Sequence, residues 1–251
     1  MKHKYTTPTG KTTSLYQDAL AQPHLLIAGA TGSGKSVIIN GLIHSALLQF
    51  PFGAGGAQFI LIDPKRVELS QWRYMPHTIC YASEPDEMID ALFCAMDICE
   101  KRYKIMQKTG QRKSDDADLY VIVDEFADLM TTQGRTVKPL VQRLAQIGRA
   151  ARVHLIIATQ TPIAKVIPTE IKCNFDSRFG LRARSAQDSR NIIDHAGLEL
   201  LPKYGQAVYM TPAGETLYRI PMIDDAELHR VQVWWERQSR KLPLLRRLFI
   251  K

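Results

Sequence analysis

The sequence predicts an α/β fold, a mostly parallel central sheet with helices on both faces. Three observations predict it. Apolar runs of strand length, among them His24–Ala30, Leu119–Asp124 and Val153–Thr159, lack polar alternation, as strands buried on both faces do. Longer stretches between them carry apolar residues at i, i+3, i+4 and i+7, the spacing of a helix with one buried stripe. The two patterns alternate along the chain, which is the order of successive βαβ units.

The elements follow in order. His24–Ala30 is the first strong strand; a Gly-rich turn and a helix from Lys35 to about Gln49 follow it. The loop 52–56 precedes a strand over Gln58–Asp63, which ends at Asp63-Pro64 because proline cannot donate to the ladder. A short strand near Thr78–Ala82 leads to a helix from about Glu84 to Gln107, with Ile89, Leu92, Phe93, Met96 and Tyr103 along one stripe. Gln107–Asp118 is polar and charged and predicts an exposed loop. After the strand Leu119–Asp124, a helix is expected over about Thr136–Ala151, then the strand Val153–Thr159. Later strands are expected at Ser177–Ala183, Gln206–Met210 and Thr216–Ile220, the last two joined by a turn at Pro212-Ala213-Gly214. A final helix starts near Asp224 and Asp225, whose charges suit a helix N-terminus. These elements divide the chain into an N-terminal extension packing on the core (1–23), an α/β domain (24–223) and a basic C-terminal helix and tail (224–251).

Composition narrows the function classes. The 251 residues are 45% hydrophobic and 23% charged, globular values that exclude a disordered or low-complexity chain. The formal charge of +8 suits a polyanionic partner. No apolar run approaches the ~18 residues of a membrane span, and the N-terminal M-K-H-K-Y-T-T-P-T-G has no secretory apolar stretch, so a cytoplasmic location is expected. The four cysteines, Cys80, Cys94, Cys99 and Cys173, show no C-x-x-C spacing; core or half-buried positions without a redox role are expected for them.

Three motifs carry chemistry. Gly29-Ala30-Thr31-Gly32-Ser33-Gly34-Lys35-Ser36, followed by Val37, fits G-x-x-x-x-G-K-[ST] between a strand and a helix. Glycines let backbone N–H groups close around phosphates, and the helix N-terminus adds partial positive charge. Lys35 would reach the β- and γ-phosphates of ATP and the Ser36 hydroxyl would bind Mg²⁺. Second, Leu119–Val123 followed by Asp124-Glu125 sets two carboxylates at the C-terminal edge of a buried strand, where open α/β sheets bind ligands. Asp124 would hold Mg²⁺ through water, and Glu125 would orient and deprotonate the attacking water. Third, Gln160 ends the next strand, placed to sense the γ-phosphate.

On these strings the chain resembles the motor domain of the FtsK/SpoIIIE DNA translocases, in the FtsK–HerA group of RecA-like ATPases. The matching stretches run in family order over roughly residues 20–222: P-H-L-L-I-A-G-A-T-G-S-G-K-S-V-I-I-N, I-D-P-K-R-V-E-L-S, Y-V-I-V-D-E-F-A-D-L-M, L-A-Q-I-G-R-A-A-R-V-H-L-I-I-A-T-Q-T-P and D-S-R-N-I-I-D. The resemblance implies a RecA-like P-loop NTPase core and a homo-oligomer, usually a hexameric ring around double-stranded DNA, driven by ATP hydrolysis. It assigns Lys35 and Ser36 to nucleotide and metal, Asp124 and Glu125 to metal and catalysis, Gln160 to sensing, and Arg149 to the arginine-finger position, with Arg152 as a competing candidate. It gives Asp63-Pro64-Lys65-Arg66 a place but no chemistry.

The sequence also departs from the family. The membrane segments, linker and winged-helix module of the long members have no counterpart in it, so the resemblance implies a minimal stand-alone motor, as a plasmid, phage or integrative element would encode. Thr161 stands where the family often has Arg, and Ser185-Ala186-Gln187 where a Lys commonly precedes the D-S-R element. Lys165, Lys172, Arg182, Arg184 and Arg190 lie nearby; phosphate contacts require positive charge rather than one fixed sequence. Residues 230–251 hold seven Lys/Arg and one Glu, a basic amphipathic tail suited to DNA, to a protein partner or neighbouring subunit, to an anionic membrane surface, or simply to solvent. Trp234 and Trp235 are expected to pack the last helix onto the domain. A second reading is a nucleotide-switched assembly or coupling ATPase for conjugation, packaging or replication, without processive translocation.

Overall fold

The computed structural model describes residues 13–52 and 55–240. A short helix α1 (Ser14–Leu20) precedes β1 (His24–Ala28), and α2 (Lys35–Gln49) follows the Gly-rich turn. Next come β2 (Ala57–Ile62), β3 (Thr78–Ala82), α3 (Pro85–Thr109), β4 (Asp118–Val123), α4 (Phe126–Ile147) and β5 (Val153–Thr159). The chain continues through α5 (Thr169–Lys172), β6 (Ser177–Leu181), α6 (Ala186–Ile193), β7 (Gln206–Thr211), β8 (Gly214–Arg219) and α7 (Asp225–Arg240). The expected α/β class is found.

The strands form one sheet in the order β3-β2-β4-β5-β1-β6-β7-β8. Its first six strands in that order are parallel, and β7 and β8 add an antiparallel edge. Strand alternation divides the core between the two faces. Leu25, Ile27, Phe59, Leu61, Tyr120 and Ile122 meet α1, α2 and α7 on one face. Leu26, Ile60, Ile62, Val121, Val123 and Ile157 meet α3, α4, α5 and α6 on the other. A strand covered on both sides must be apolar at every position, which is why β1 and β4 have no polar alternation.

Each helix has a local cause. Pro85 opens α3, where its missing N–H costs nothing, and the Glu84 and Glu87 side chains cap that end reciprocally. Gly110, left-handed at φ 70°, closes it. Helix α4 begins at Phe126, ten residues before the expected start, and its backbone breaks at Gln133 (φ −131°, ψ 19°). Gly134 and Pro139 interrupt the helical signal there, while burial of Phe126, Leu129, Val137, Val141 and Leu144 holds both segments on the sheet. Helix α6 was not expected at all. Ser185 caps it by accepting from the Asp188 N–H, and Ile192 and Ile193 are buried beneath it.

Trp235 anchors α7: it is fully buried and its indole N–H donates to the Leu47 carbonyl at 3.0 Å. Trp234 is partly buried against the same core. Cys99 is buried and Cys80 half-buried, but Cys94 and Cys173 are exposed, contrary to expectation. Cys94 falls on the solvent side of α3, and Cys173 ends the short α5. Among the described residues no helix is long and apolar enough to cross a membrane. The tail residues 241–251, with their candidate DNA, partner and membrane roles, lie outside the described residues.

Helix α1 packs on α2 at one close approach. Tyr16 is 1% exposed, donates its hydroxyl to the Pro221 carbonyl at 2.9 Å, and lies where a Cβ on Gly41 would sit 2.3 Å from its ring. Gly41→Ala is therefore expected to cost about 2 kcal/mol by overpacking, measured by urea unfolding, and Tyr16→Leu in the same chain is expected to recover part of that loss.

Candidate functional site

The candidate site sits at the edge where β1, β4 and β5 end. A cavity of about 470 Å³ opens there, lined by Gly32, Lys35, Ser36, Asp124, Gln160 and Tyr204 among others. The residues from 29 to 34 connect β1 to the first turn of α2. Gly34 caps that helix at φ 110°, a conformation that a side chain strains against. The first turn of a helix leaves its N–H groups without intrahelical acceptors, and here that turn lines the cavity. Lys35 is 8% exposed and folds back onto its own loop, donating to the carbonyls of Gly29 (2.8 Å) and Ala30 (3.0 Å). Burial lowers its pKa to about 8, against the opposing charges of Glu125 and Asp124.

Asp124 follows the last residue of β4, and its N–H donates to Ile62, so β2 fixes its backbone. Asp124 is 7% exposed. Burial, and then the charges of Asp63, Glu68 and Glu125, raise its pKa to about 6. A buried carboxyl pressed by three others is a place where a divalent cation relieves charge. With the Ser36 hydroxyl lining the same cavity, the oxygen donor set fits Mg²⁺.

Glu125 is the most constrained residue of the group. It occupies the left-handed region at φ 61°, ψ 67°, as the residue that opens α4, and it is 5% exposed. Such a backbone is costly for a residue with a side chain and persists only where its surroundings over-determine it. The surroundings are three hydrogen bonds. Glu125 Oε1 accepts from the Thr159 hydroxyl (3.2 Å) and the Gln160 N–H (3.1 Å); Oε2 accepts from Lys65 Nζ (3.1 Å). Gln160 in turn accepts from the Thr31 hydroxyl at 2.5 Å, linking the end of β5 to the phosphate loop.

Lys35, Ser36, Asp124, Glu125 and Gln160 are thus brought together. Arg149 is not. It is exposed and lines a separate cavity of about 200 Å³ with Pro23, His24 and Ser177, where β1 and β6 begin. The length of a strand separates it from its own phosphate loop. Arg152 is engaged elsewhere: its guanidinium holds both oxygens of Asp118 at 2.9 and 2.5 Å. Of the candidate DNA-contact residues, Lys165, Arg182, Arg184 and Arg190 are exposed. Lys172 is paired with Asp194 at 2.7 Å, and Arg184 lies near enough to Lys35 to depress its pKa.

Sequence reasoning missed Lys65, Val67, Glu68 and Tyr204 as cavity residues. Asp63-Pro64-Lys65-Arg66 signalled the first of these. Tyr204 had no signal, because the loop before β7 reaches the cavity only through tertiary packing.

A phosphate attracts an ammonium and not a neutral amine, so the lowered pKa of Lys35 predicts a pH dependence for nucleotide binding. Above pH 8 the empty site has lost the proton that the complex requires. Binding then takes up a proton, and affinity is expected to fall by up to about tenfold per pH unit between pH 8 and 9.5. Calorimetric titration with ATP in metal-free buffer measures this, and the slope is expected to vanish in Lys35→Ala.

Known proteins show the family of the chain. The model of the FtsK/SpoIIIE family matches residues 6–120 and 116–164. The DNA translocase FtsK of Pseudomonas syringae pv. tomato is 37% identical over 257 aligned positions, covering 87% of this chain and 32% of that protein. This chain therefore spans about a third of that relative's length. Among solved structures, the pCW3 conjugation coupling protein TcpA, in a monomer form with ATPγS, superposes with a TM-score of 0.75 at 25% identity, over 89% of this chain and 66% of that one. EssC (ATPases 2 and 3) from Geobacillus thermodenitrificans superposes equally well, TM-score 0.75, at 18% identity over 89% of this chain and 46% of that one, which speaks to fold alone. With its phosphate loop, paired carboxylates and strand-end glutamine assembled on a P-loop ATPase fold, the chain belongs to the FtsK/SpoIIIE family.

Proposed function

We propose that the chain is an ATP-hydrolysing motor that translocates double-stranded DNA. The observation that carries this reading is the convergence of Lys35, Ser36, Asp124, Glu125 and Gln160 on one cavity at the C-terminal edge of the sheet. In it, Lys35 and the first turn of α2 bind the β- and γ-phosphates. Ser36 and Asp124 hold Mg²⁺, which when bound neutralises phosphate charge. Glu125 orients the attacking water, and Gln160 couples the γ-phosphate position to the phosphate loop through Thr31.

Arg149 acts in trans. Its distance from its own site and its exposure support a finger that meets the nucleotide of a neighbouring subunit, and a guanidinium is always charged and suited to phosphate oxygens. That role implies a homo-oligomer, which we take to be a hexameric ring in the cytoplasm. Exposed Lys165, Arg182, Arg184 and Arg190, on loops and helix turns following β5 and β6, supply positive charge for the DNA backbone. A second reading is a nucleotide-switched coupling ATPase without processive translocation; the likeness to the conjugation coupling protein TcpA favours its coupling part.

DNA-stimulated turnover separates the two. Steady-state ATP hydrolysis is expected to rise strongly with long double-stranded DNA, and the stimulation to fade as salt increases because phosphate contacts release counterions. Turnover indifferent to DNA would favour the coupling switch. Lys35→Ala is expected to lose hydrolysis, and Glu125→Gln to bind ATP but turn over at least about a hundredfold more slowly. Arg149→Ala is expected to be inactive alone and to poison wild-type subunits when mixed; a strictly linear loss with mixing ratio would refute action in trans.

A further inference from the structure

The Asp63-Pro64-Lys65-Arg66 bend has no role in the chemistry above, yet it delivers an ammonium to the most constrained side chain of the site. The bend is rigidly anchored. Asp63 is fully buried; one carboxylate oxygen accepts from the Leu69 N–H at 3.0 Å, and its own N–H donates to the Ala82 carbonyl at 2.9 Å. From this fixed backbone the Lys65 side chain, 41% exposed, reaches across to Glu125 Oε2 and lines the cavity that also holds Lys35 and Ser36.

With Oε1 already shared between Thr159 and Gln160, the Lys65 bond occupies the remaining oxygen of Glu125. An ammonium bonded to Oε2 lowers the basicity that this oxygen needs to take a proton from an attacking water. The two cavity lysines also differ. Lys35 is buried against its own loop carbonyls, whereas Lys65 is half-exposed on a flexible stem. An ammonium is a point charge that exchanges one anion for another without a fixed fork geometry.

We propose that Lys65 is a positioning residue that parks Glu125 while the site lacks a γ-phosphate and surrenders it when ATP supplies a stronger anion. The γ-phosphate of a nucleoside triphosphate enters the cavity that Lys65 lines and draws the ammonium away from Oε2. The freed oxygen then faces the water that attacks phosphorus. A nucleoside diphosphate ends short of that position and leaves the pair intact. The exchange ties the readiness of Glu125 to the presence of the third phosphate, so the empty and diphosphate states share the parked geometry.

This inference rests on the ATP-site reading, and its test separates the two. Equilibrium binding of a non-hydrolysable ATP analogue and of ADP is measured for the wild-type chain, Glu125→Gln, Lys65→Met and the double variant. Removing the Glu125 charge frees Lys65 for the analogue. The tightening produced by E125Q is therefore expected to be about fivefold larger with Lys65 present than in the K65M background, the scale of a partly exposed charge pair. With ADP, E125Q is expected to have the same effect in both backgrounds. K65R is expected to restore the difference seen with the analogue. Equal E125Q effects on the analogue in both backgrounds, or an equal difference with ADP, would overturn the exchange and leave Lys65–Glu125 a static ion pair. If K65M loses ADP binding, K65Q carries the same comparison. A wild-type chain that binds neither nucleotide would overturn the ATP site itself.

Discussion

Strand β5 lies between β1, which feeds the phosphate loop, and β4, which ends in Asp124-Glu125. Strands in a sheet stand about 4.8 Å apart, so this one interposed strand sets the loop and the carboxylates roughly 10 Å from each other. In the proposed function that gap takes a phosphate, a cation and a water between Lys35 on one side and Glu125 on the other. It also places the last residue of β5 and its successor, Thr159 and Gln160, in the middle, where they bond Glu125 on one side and Thr31 on the other. The site exists because the strands occur in this order.

The gap also explains the charges. The charges of Asp63, Glu68 and Glu125 all press on Asp124, and Asp63, Asp124 and Glu125 are buried from water. Lys35 and Lys65 offset part of that repulsion, but Asp124 still keeps its proton far above the usual carboxylate range. An arrangement so short of positive charge is unfavourable in isolation. A bound cation would relieve that repulsion, as the proposed function requires.

The opposite end of the sheet carries different interactions. There Asp118 gathers Arg152 and His154, and the Arg102 guanidinium caps the carbonyls of Ala151 and Arg152. This network leaves Arg149 exposed beside it at the turn between α4 and β5. Arg149 thus lies a strand's length from the phosphate loop of its own chain. Of the two arginines in G-R-A-A-R, Asp118 binds Arg152 and leaves Arg149 exposed, which is what the proposed role of Arg149 rests on.

Much of the fold was legible in the residues alone, because a strand buried on both faces has to be continuously apolar and the G-x-x-x-x-G-K-S turn has to join a strand to a helix. Asp124, Glu125 and Gln160 were legible because each sits next to a strand end that an apolar run predicts, and Lys35 and Ser36 because the G-x-x-x-x-G-K-S turn fixes their place at the start of a helix. The first half of α4 and the whole of α6 were not, since Gly134 and Pro139 weaken one signal and brevity the other, and burial against the sheet supplied what propensity lacked. Local sequence thus determined the strands, the phosphate loop and the chemistry at strand ends, since these depend on neighbours a few residues away. Tertiary structure alone decided that Lys65 meets Glu125, that Tyr204 borders the cavity and that Arg149 lies at the far edge. Those relations join residues roughly 60 to 170 positions apart, and only the strand order, set by packing of the whole sheet, brings such residues together or holds them apart.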